Sequence, residues 1–254
     1  MQQLRFLGSG PEDLFEVSGL RQCSDGVGGL MTLGAWGRGA DGRLAVGALG
    51  VLADEVLGYA LMASLPQDEW SISTEIWLDV VSELPGPGVD LVGHATPVQT
   101  GAFSTGEIRD GRGRLLVSCR QRGRSVSRPD EDAVAAAPSV APAAADGIEA
   151  VLGLRAAADG WVLDARPELA NPKGMLHGGI SLAASEAVAT RARVDRGSSL
   201  RTTSVHIVHT RGIPAGASVV FDVEHRHAGR TLWVTHVVGR VDGKVGTVAT
   251  ITAG

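Results

Sequence analysis

The stretch NPKGMLHGGISLAASEAVATRARV, residues 171–194, decides how this chain is read. It opens on Asn171, reaches His177-Gly178-Gly179, and then runs through mostly small and apolar residues without a proline. Alanine and leucine favour helix, so the composition predicts a helix over 178–194. Apolar positions fall on nearly every side of it, which marks a buried helix rather than a surface one. The two glycines at its start leave the first backbone N–H groups open to a ligand oxygen. A helix N-terminus carries roughly +0.5 charge, so Gly178 and Gly179 can stabilise an oxyanion. Asn171 can add a side-chain N–H donor. A turn followed by an ordinary helix start is the competing reading of the same residues.

Working outward, the same pattern occurs earlier in the chain. LAVGALGVLADEVLGYA (44–60) lies over LHGGISLAASEAVATRA (176–192) and sets Asp54 against Glu186. Further on, Thr74 matches Thr203, Pro85 matches Pro214 and Gly101 matches Gly229, at offsets that drift only from 132 to 128. Four matches in order describe an internal repeat. Between the copies lies SVSRPDEDAVAAAPSVAPAAAD (125–146), with three prolines and little to bury, which suits an extended linker. The expected organisation is therefore an N-terminal domain over 1–124, a linker over 125–146 and a C-terminal domain over 147–254.

Each copy reads alike in secondary structure. A buried helix is expected over 47–63 and over 178–194. Segments rich in Val, Ile and Thr, bounded by Gly, Pro and Asp-Gly, are expected as strands over 74–81, 89–98 and 114–120, then over 203–210, 218–224, 231–241 and 244–252. Asp242-Gly243 has the composition of a hairpin turn. One buried helix followed by antiparallel strands gives an α+β unit, a sheet curled around its helix.

Composition narrows the function classes. The 254 residues hold 23 Lys+Arg against 28 Asp+Glu, a formal net charge of −5, which argues against nucleic-acid binding. Two cysteines, Cys23 and Cys119, make no disulfide scaffold and point to a reducing cytoplasm. No apolar run approaches the roughly 20 residues of a membrane span, and the N-terminus lacks the pattern of a secretory signal.

The motif N-x(5)-H-G-G-x(6)-[DE], here Asn171 to Glu186, resembles the signature of hotdog-fold acyl-CoA thioesterases. The later T-x(7)-R-x(2)-P and G-R-T segments resemble the strands that follow the helix in that family. The resemblance covers nearly the whole chain as two hotdog domains in tandem, a double hotdog, each an antiparallel sheet around a long central helix. The first copy is degenerate: its motif reads Ala45-Val46-Gly47, with Gly39 in the place of Asn171, while Asp54 is kept.

The resemblance implies a hydrolase of acyl-CoA in fatty acid metabolism, with coenzyme A as part of the substrate and no separate cofactor or metal. Asn171 and the Gly178 amide would polarise the thioester carbonyl, His177 would fix the loop, and Asp54 or Glu186 would supply the carboxylate. Gly178 and Glu186 are eight residues apart, roughly 12 Å along one helix. That is too far for hydrogen-bond reach, so with the two helices antiparallel across a pseudo-twofold, as the resemblance implies, Asp54 from the other copy is the expected partner. Ser73 or Thr74 would hold the carboxylate or its water. Gly179 is a further candidate for substrate contact. The mirror site would pair Glu186 and Thr190 with the Val46–Gly47 helix start, and without the Asn and His it is expected to be weak or dead. Glu186 is open to either a catalytic or a structural reading.

Other features are less specific. Arg226, Gly229 and Arg230, beside His225 and His227, form a cationic turn that could meet the phosphates of coenzyme A. A solvated hairpin explains them as well. Arg120, Arg122 and Arg124 alternate, as on the exposed edge of a sheet. No CxxC or HExxH accompanies the histidines, and Gly37–Gly42 spells GxGxxG without a β-α context. A hotdog hydratase and a non-catalytic acyl-CoA-binding module stand as rivals. The fused pair could be a monomer with an internal pseudo-dimer or could assemble further.

Overall fold

The computed structural model describes residues 3–8, 10–128, 145–158 and 160–254. The helix expected over 178–194 is α4 (Gly178–Val194), and its counterpart is α2 (Gly50–Met62), entered through a 3-10 turn at Val46–Leu49. Ten of the thirteen residues of α2 are buried, Val51, Leu52, Ala53, Val56 and Leu57 completely. Both helices are therefore core elements, as an apolar surface on all sides requires. Two single-turn helices, α1 (Gly10–Leu14) and α3 (Ile148–Leu152), lie ahead of the two copies' central helices.

The strands of the first copy are β1 (Val17–Gln22), β2 (Val27–Thr32), β3 (Glu69–Val80), β4 (Asp90–Gln99), β5 (Phe103–Asp110) and β6 (Leu115–Ser127). Those of the second are β7 (Arg155–Ala157), β8 (Gly160–Asp164), β9 (Thr202–His209), β10 (Ser218–Ala228), β11 (Trp233–Val241) and β12 (Lys244–Ala253). All twelve form one sheet in the order β1-β2-β4-β5-β6-β3-β9-β12-β11-β10-β8-β7, with every pairing antiparallel. Read from either edge the order is the same, 1-2-4-5-6-3, so the repeat in sequence is a repeat in topology. The copies join where β3 pairs with β9, Ile76 opposite Ile207 and Trp77 opposite His206. Across that joint the Trp77 and His206 rings stack at 4.4 Å, and the Arg120 guanidinium lies 5.0 Å over Trp77.

Several expected elements differ in extent. β3 begins five residues before 74, and β6 runs on to Ser127, carrying three residues of the expected linker; 129–144 lie outside the described residues. The strands β1, β2, β5, β7 and β8 and the helices α1 and α3 were not expected. FSTGEIRD and GWVLD are too short or too polar to stand out alone, and they are strands because neighbours on both sides accept their backbone groups. The edge reading of Arg120, Arg122 and Arg124 is corrected, because β6 is flanked by β5 and β3. Arg120 and Arg122 occupy the outer face of an interior strand, and Arg122 caps the Phe103 ring at 5.1 Å. Asp242 and Gly243 both have positive φ, 49° and 73°, as a two-residue hairpin requires.

The two copies also meet through their helix starts. A Cβ on Gly179 would lie 2.4 Å from the Gly50 carbonyl oxygen, and one on Gly50 would lie 2.6 Å from the Gly179 carbonyl oxygen. Backbone meets backbone here, so only glycine fits. The contact has a twofold character at the offset of 132. Gly47 packs on Ala183 and Glu186 as Gly179 packs on Val51 and Asp54.

Candidate active site

The loop before α4 is held by its own asparagine. The Asn171 carbonyl oxygen accepts the backbone N–H groups of Lys173 (2.9 Å) and Met175 (3.2 Å), and the Asn171 N–H bonds to the Met175 carbonyl at 2.7 Å. With the carbonyl end committed to this Asx turn, the amide nitrogen is the end left for a ligand. The same backbone loop exists in the first copy, where Gly39 N–H bonds to the Arg43 carbonyl at 2.8 Å. Gly39 supplies no side chain there, so the first copy keeps the loop and lacks the donor.

α2 brings Asp54 to the start of α4. Its Oδ2 accepts the Gly179 N–H at 2.9 Å, while the Gly178 N–H has no hydrogen-bond acceptor among the described residues. Gly178 faces the carboxylate at close range: a Cβ there would lie 2.6 Å from both Asp54 Oδ2 and Ser73 Oγ. Ser73 is aimed here by a bulge in β3, where Thr74 is the extra residue between Ser73 and Glu75. Thr74 donates its hydroxyl to the Arg122 carbonyl at 3.2 Å.

His177 ties this corner together. Its ring is buried, with Nε2 at 2.9 Å from Glu55 Oε1 and Nδ1 at 3.3 Å from Asp54 Oδ2. Burial opposes charge on the ring, but Asp54 and Glu55 outweigh it and push the imidazole up to about 9. A charged ring donates to both carboxylates. The Gly179 N–H also lies 3.0 Å from Nδ1, a bond open only to the neutral ring. Burial and then Glu12 raise Glu55 to about 8, against the pull of His177, so the pair retains a proton through neutral pH.

Asp54, Ser73, Thr74, Asn171, His177 and Gly178 all line one cavity of about 360 Å³ between the copies. Gly179 contributes its N–H to Asp54 rather than to the cavity. The cavity also takes in residues that sequence reasoning missed, among them Glu55, Gln121, His209 and Thr247. His209 and Thr247 are cross-strand partners on β9 and β12. Among the described residues neither His209 ring nitrogen meets hydrogen-bond criteria, and burial lowers its basicity against the nearby Gly178 backbone. Strand alternation alone could have placed them on the inner face, but not in a cavity. Three cations, Arg124, Lys173 and Arg211, stand among the lining groups.

The remaining candidates lie elsewhere. Glu186 is 1% exposed; its Oε1 accepts from Thr190 (2.8 Å) and Thr202 (2.7 Å), and Arg193 donates to the same two hydroxyls. Burial raises its carboxyl. Glu186 Oε2 and Arg193 Nε have no hydrogen-bond partner among the described residues, and neither Glu186 nor Thr190 lines the cavity. Arg226 pairs with Glu224 at 2.8 Å, and its neighbour His225 sits beside Ala192, Arg193 and Arg196 at the far end of α4. That end is roughly 25 Å from Gly178 by helix rise. Arg226, Gly229 and Arg230 are absent from the cavity lining.

A continuous sheet wrapped on two buried helices, with a cavity at their crossing, is the hotdog architecture, and the structural neighbours of this chain include thioesterases and a further hotdog-fold protein. The chain is similar to a putative thioesterase II from Thermobifida fusca at 13% identity and a TM-score of 0.62, covering 97% of this chain and 98% of that one. It is similar to a protein of unknown function with the hotdog fold from Alicyclobacillus acidocaldarius (13% identity, TM-score 0.59, 97% of each chain). A third is the 12:0-ACP thioesterase from Umbellularia californica (12% identity, TM-score 0.59, 89% of this chain and 93% of that one). No family model and no curated protein matches the sequence. No helix among the described residues is long and apolar enough to cross a membrane.

Proposed function

We propose that this chain is an acyl-CoA thioester hydrolase, built as two fused hotdog domains with one working site between them. The observation that carries this reading is the reach of Asp54, from the first copy, to the Gly179 amide of the second, beside the open Gly178 N–H. In the proposed reaction the thioester oxygen accepts hydrogen bonds from Gly178 N–H and the Asn171 amide, at the positive end of α4. Asp54 either takes a proton from an attacking water or attacks the carbonyl carbon itself. On the first route the C–S bond then breaks and the thiolate leaves as free thiol with the proton that Asp54 took from water; on the second the thiolate leaves an anhydride on Asp54, which a water then hydrolyses, freeing the acid and supplying the proton. Ser73 steadies the carboxylate or its water, and His177 with Glu55 holds the loop and Asp54 in register. No step calls on a metal or redox cofactor.

The cations Arg124, Lys173 and Arg211 at the cavity support a substrate handle carrying phosphate, which coenzyme A and a phosphopantetheinylated carrier protein share. We favour coenzyme A, and a carrier-protein substrate is an outcome of the test. The hydratase reading is weakened because both His177 nitrogens face Asp54 and Glu55, which leaves neither for the acyl chain.

The test is thiol release from a panel of acyl-CoAs and acyl-carrier proteins. Asp54→Asn, which can still accept the Gly179 N–H, should lower turnover by about 100-fold or more. Glu186→Gln should keep most of it. The opposite ranking would place the chemistry at the mirror site, and binding without thiol release would mark a binding module.

A further inference from the structure

The cavity has two sides. On the α2 side it passes Ser71 of β3 and Gln121 of β6 and reaches Tyr59, Met62 and Trp70. On the α4 side it meets Ser181, His209 and Thr247. Strand alternation makes this second side unexpected. Val205 and Ile207 are buried in β9, and His209 takes the next place on that face. Ala249, Ile251 and Ala253 are buried in β12, and Thr247 takes the place before them. An apolar residue would complete either row, yet both positions are polar.

The two are cross-strand partners. Thr247 is 1% exposed, and neither its Oγ1 nor either ring nitrogen of His209 has a hydrogen-bond partner among the described residues. On its other side Thr247 pairs with Gly239 of β11, where a Cβ would lie 2.5 Å from Thr247 Oγ1. Glycine there leaves the hydroxyl its room. His209 lies beside the Gly178 backbone, close to the charge of Asp54. Burial keeps the ring neutral, so it offers one N–H donor and one acceptor, and the Thr247 hydroxyl can act as either. A plain methylene chain laid against this pair would leave buried polar groups unsatisfied, which is disfavoured. A carboxylate fits no better, because Asp54 is near and the ring carries no charge.

We infer that the preferred thioesters carry a hydroxyl on the third acyl carbon, bound by His209 and Thr247, while the rest of the chain lies along α2. With the carbonyl at Gly178, that oxygen is three bonds from the carbonyl carbon, roughly 3.5 Å in an extended chain. Ser181, three residues beyond Gly178, marks a similar depth on this side of the cavity, roughly 4.5 Å along α4. A hydroxyl further out on the chain would pass the pair by. The inference rests on the thioesterase reading, and the experiment separates the two.

Thiol release is compared for hexanoyl-CoA, 3-hydroxyhexanoyl-CoA and 6-hydroxyhexanoyl-CoA. The 3-hydroxy compound should show kcat/KM higher by about tenfold or more than hexanoyl-CoA, and the 6-hydroxy compound should show no such gain. Thr247→Val, which keeps the shape, and His209→Phe should each bring the ratio of the first two toward one, and Thr247→Ser should retain it. The ratio is internal to each variant, so a loss of folded protein cancels from it. Equal kcat/KM values, a like gain for the 6-hydroxy compound, or a ratio unmoved in Thr247→Val and His209→Phe would overturn the inference while leaving the hydrolase in place. If no thioester is cleaved, the hydrolase reading fails, and calorimetric binding of the same three compounds decides. Tighter binding of the 3-hydroxy compound, lost in Thr247→Val, sustains the inference, and equal or absent binding ends it.

Discussion

Gly178 and Gly179 are adjacent, yet a methyl group would meet different things at each. At Gly178 it would press on Asp54 Oδ2 and Ser73 Oγ, which are ends of side chains and can move. At Gly179 it would strike the Gly50 carbonyl and Val51 Cα, which are backbone and cannot. Gly178→Ala should therefore cost activity far more than stability, by about tenfold or more in kcat as the carboxylate shifts. Gly179→Ala should lower the melting temperature, by roughly 4 °C or more if it costs about 2 kcal/mol. Thermal unfolding alongside the thiol assay distinguishes them. His177 and Glu55 give a second prediction at this scale. Both hold their proton more tightly in the fold than in the unfolded chain, so the folded state binds more protons from mildly acidic pH upward. Stability should fall as pH rises toward about 9, where the pair loses its charge-assisted bonds. The fall should be shallower in Glu55→Gln; an unchanged slope would detach the pair from the stability of this corner.

α4 has chemistry at one end and structure along its length. Its N-terminus meets Asp54, its middle buries Glu186 among Thr190, Thr202 and Arg193, and its C-terminus lies by His225 in β10. The cationic turn of Arg226 and Arg230 belongs to that last end, while Arg124, Lys173 and Arg211 come from β6 and the two loops beside the cavity. Arg211→Ala should raise KM for an acyl-CoA by roughly two- to fivefold, the range of one exposed charge contact. Arg226→Ala with Arg230→Ala should leave KM within error of the parent. A KM effect confined to the second pair would return the phosphate site to the hairpin. The arginines of β6 show why composition misleads at this level. An alternating charged strand looks like an edge until its neighbours are known, and here β5 and β3 cover both sides.

The two copies share one twelve-stranded sheet and a glycine-to-glycine helix crossing, with Trp77 and His206 stacked over the strand joint. Nothing in that arrangement isolates one copy's core from the other, so calorimetric unfolding should show a single transition. Two separated transitions would mean that β3 and β9 part before the copies unfold. Much of this was legible in the residues themselves. The Gly-Gly start, the alanine-rich run and the 132-residue offset locate both helices and the loop, because backbone geometry and helix length depend on local chemistry, whereas the pairing of Asp54 with the other copy also needed the pseudo-twofold that the family resemblance implies. What lay beyond the sequence were contacts between residues far apart in it. Glu55 under His177, the buried surroundings of Glu186, and the polar wall of Ser71 and Gln121 arise where separate strands and helices converge. A side chain's type states what it can bond to, but only packing determines what is within 3 Å of it.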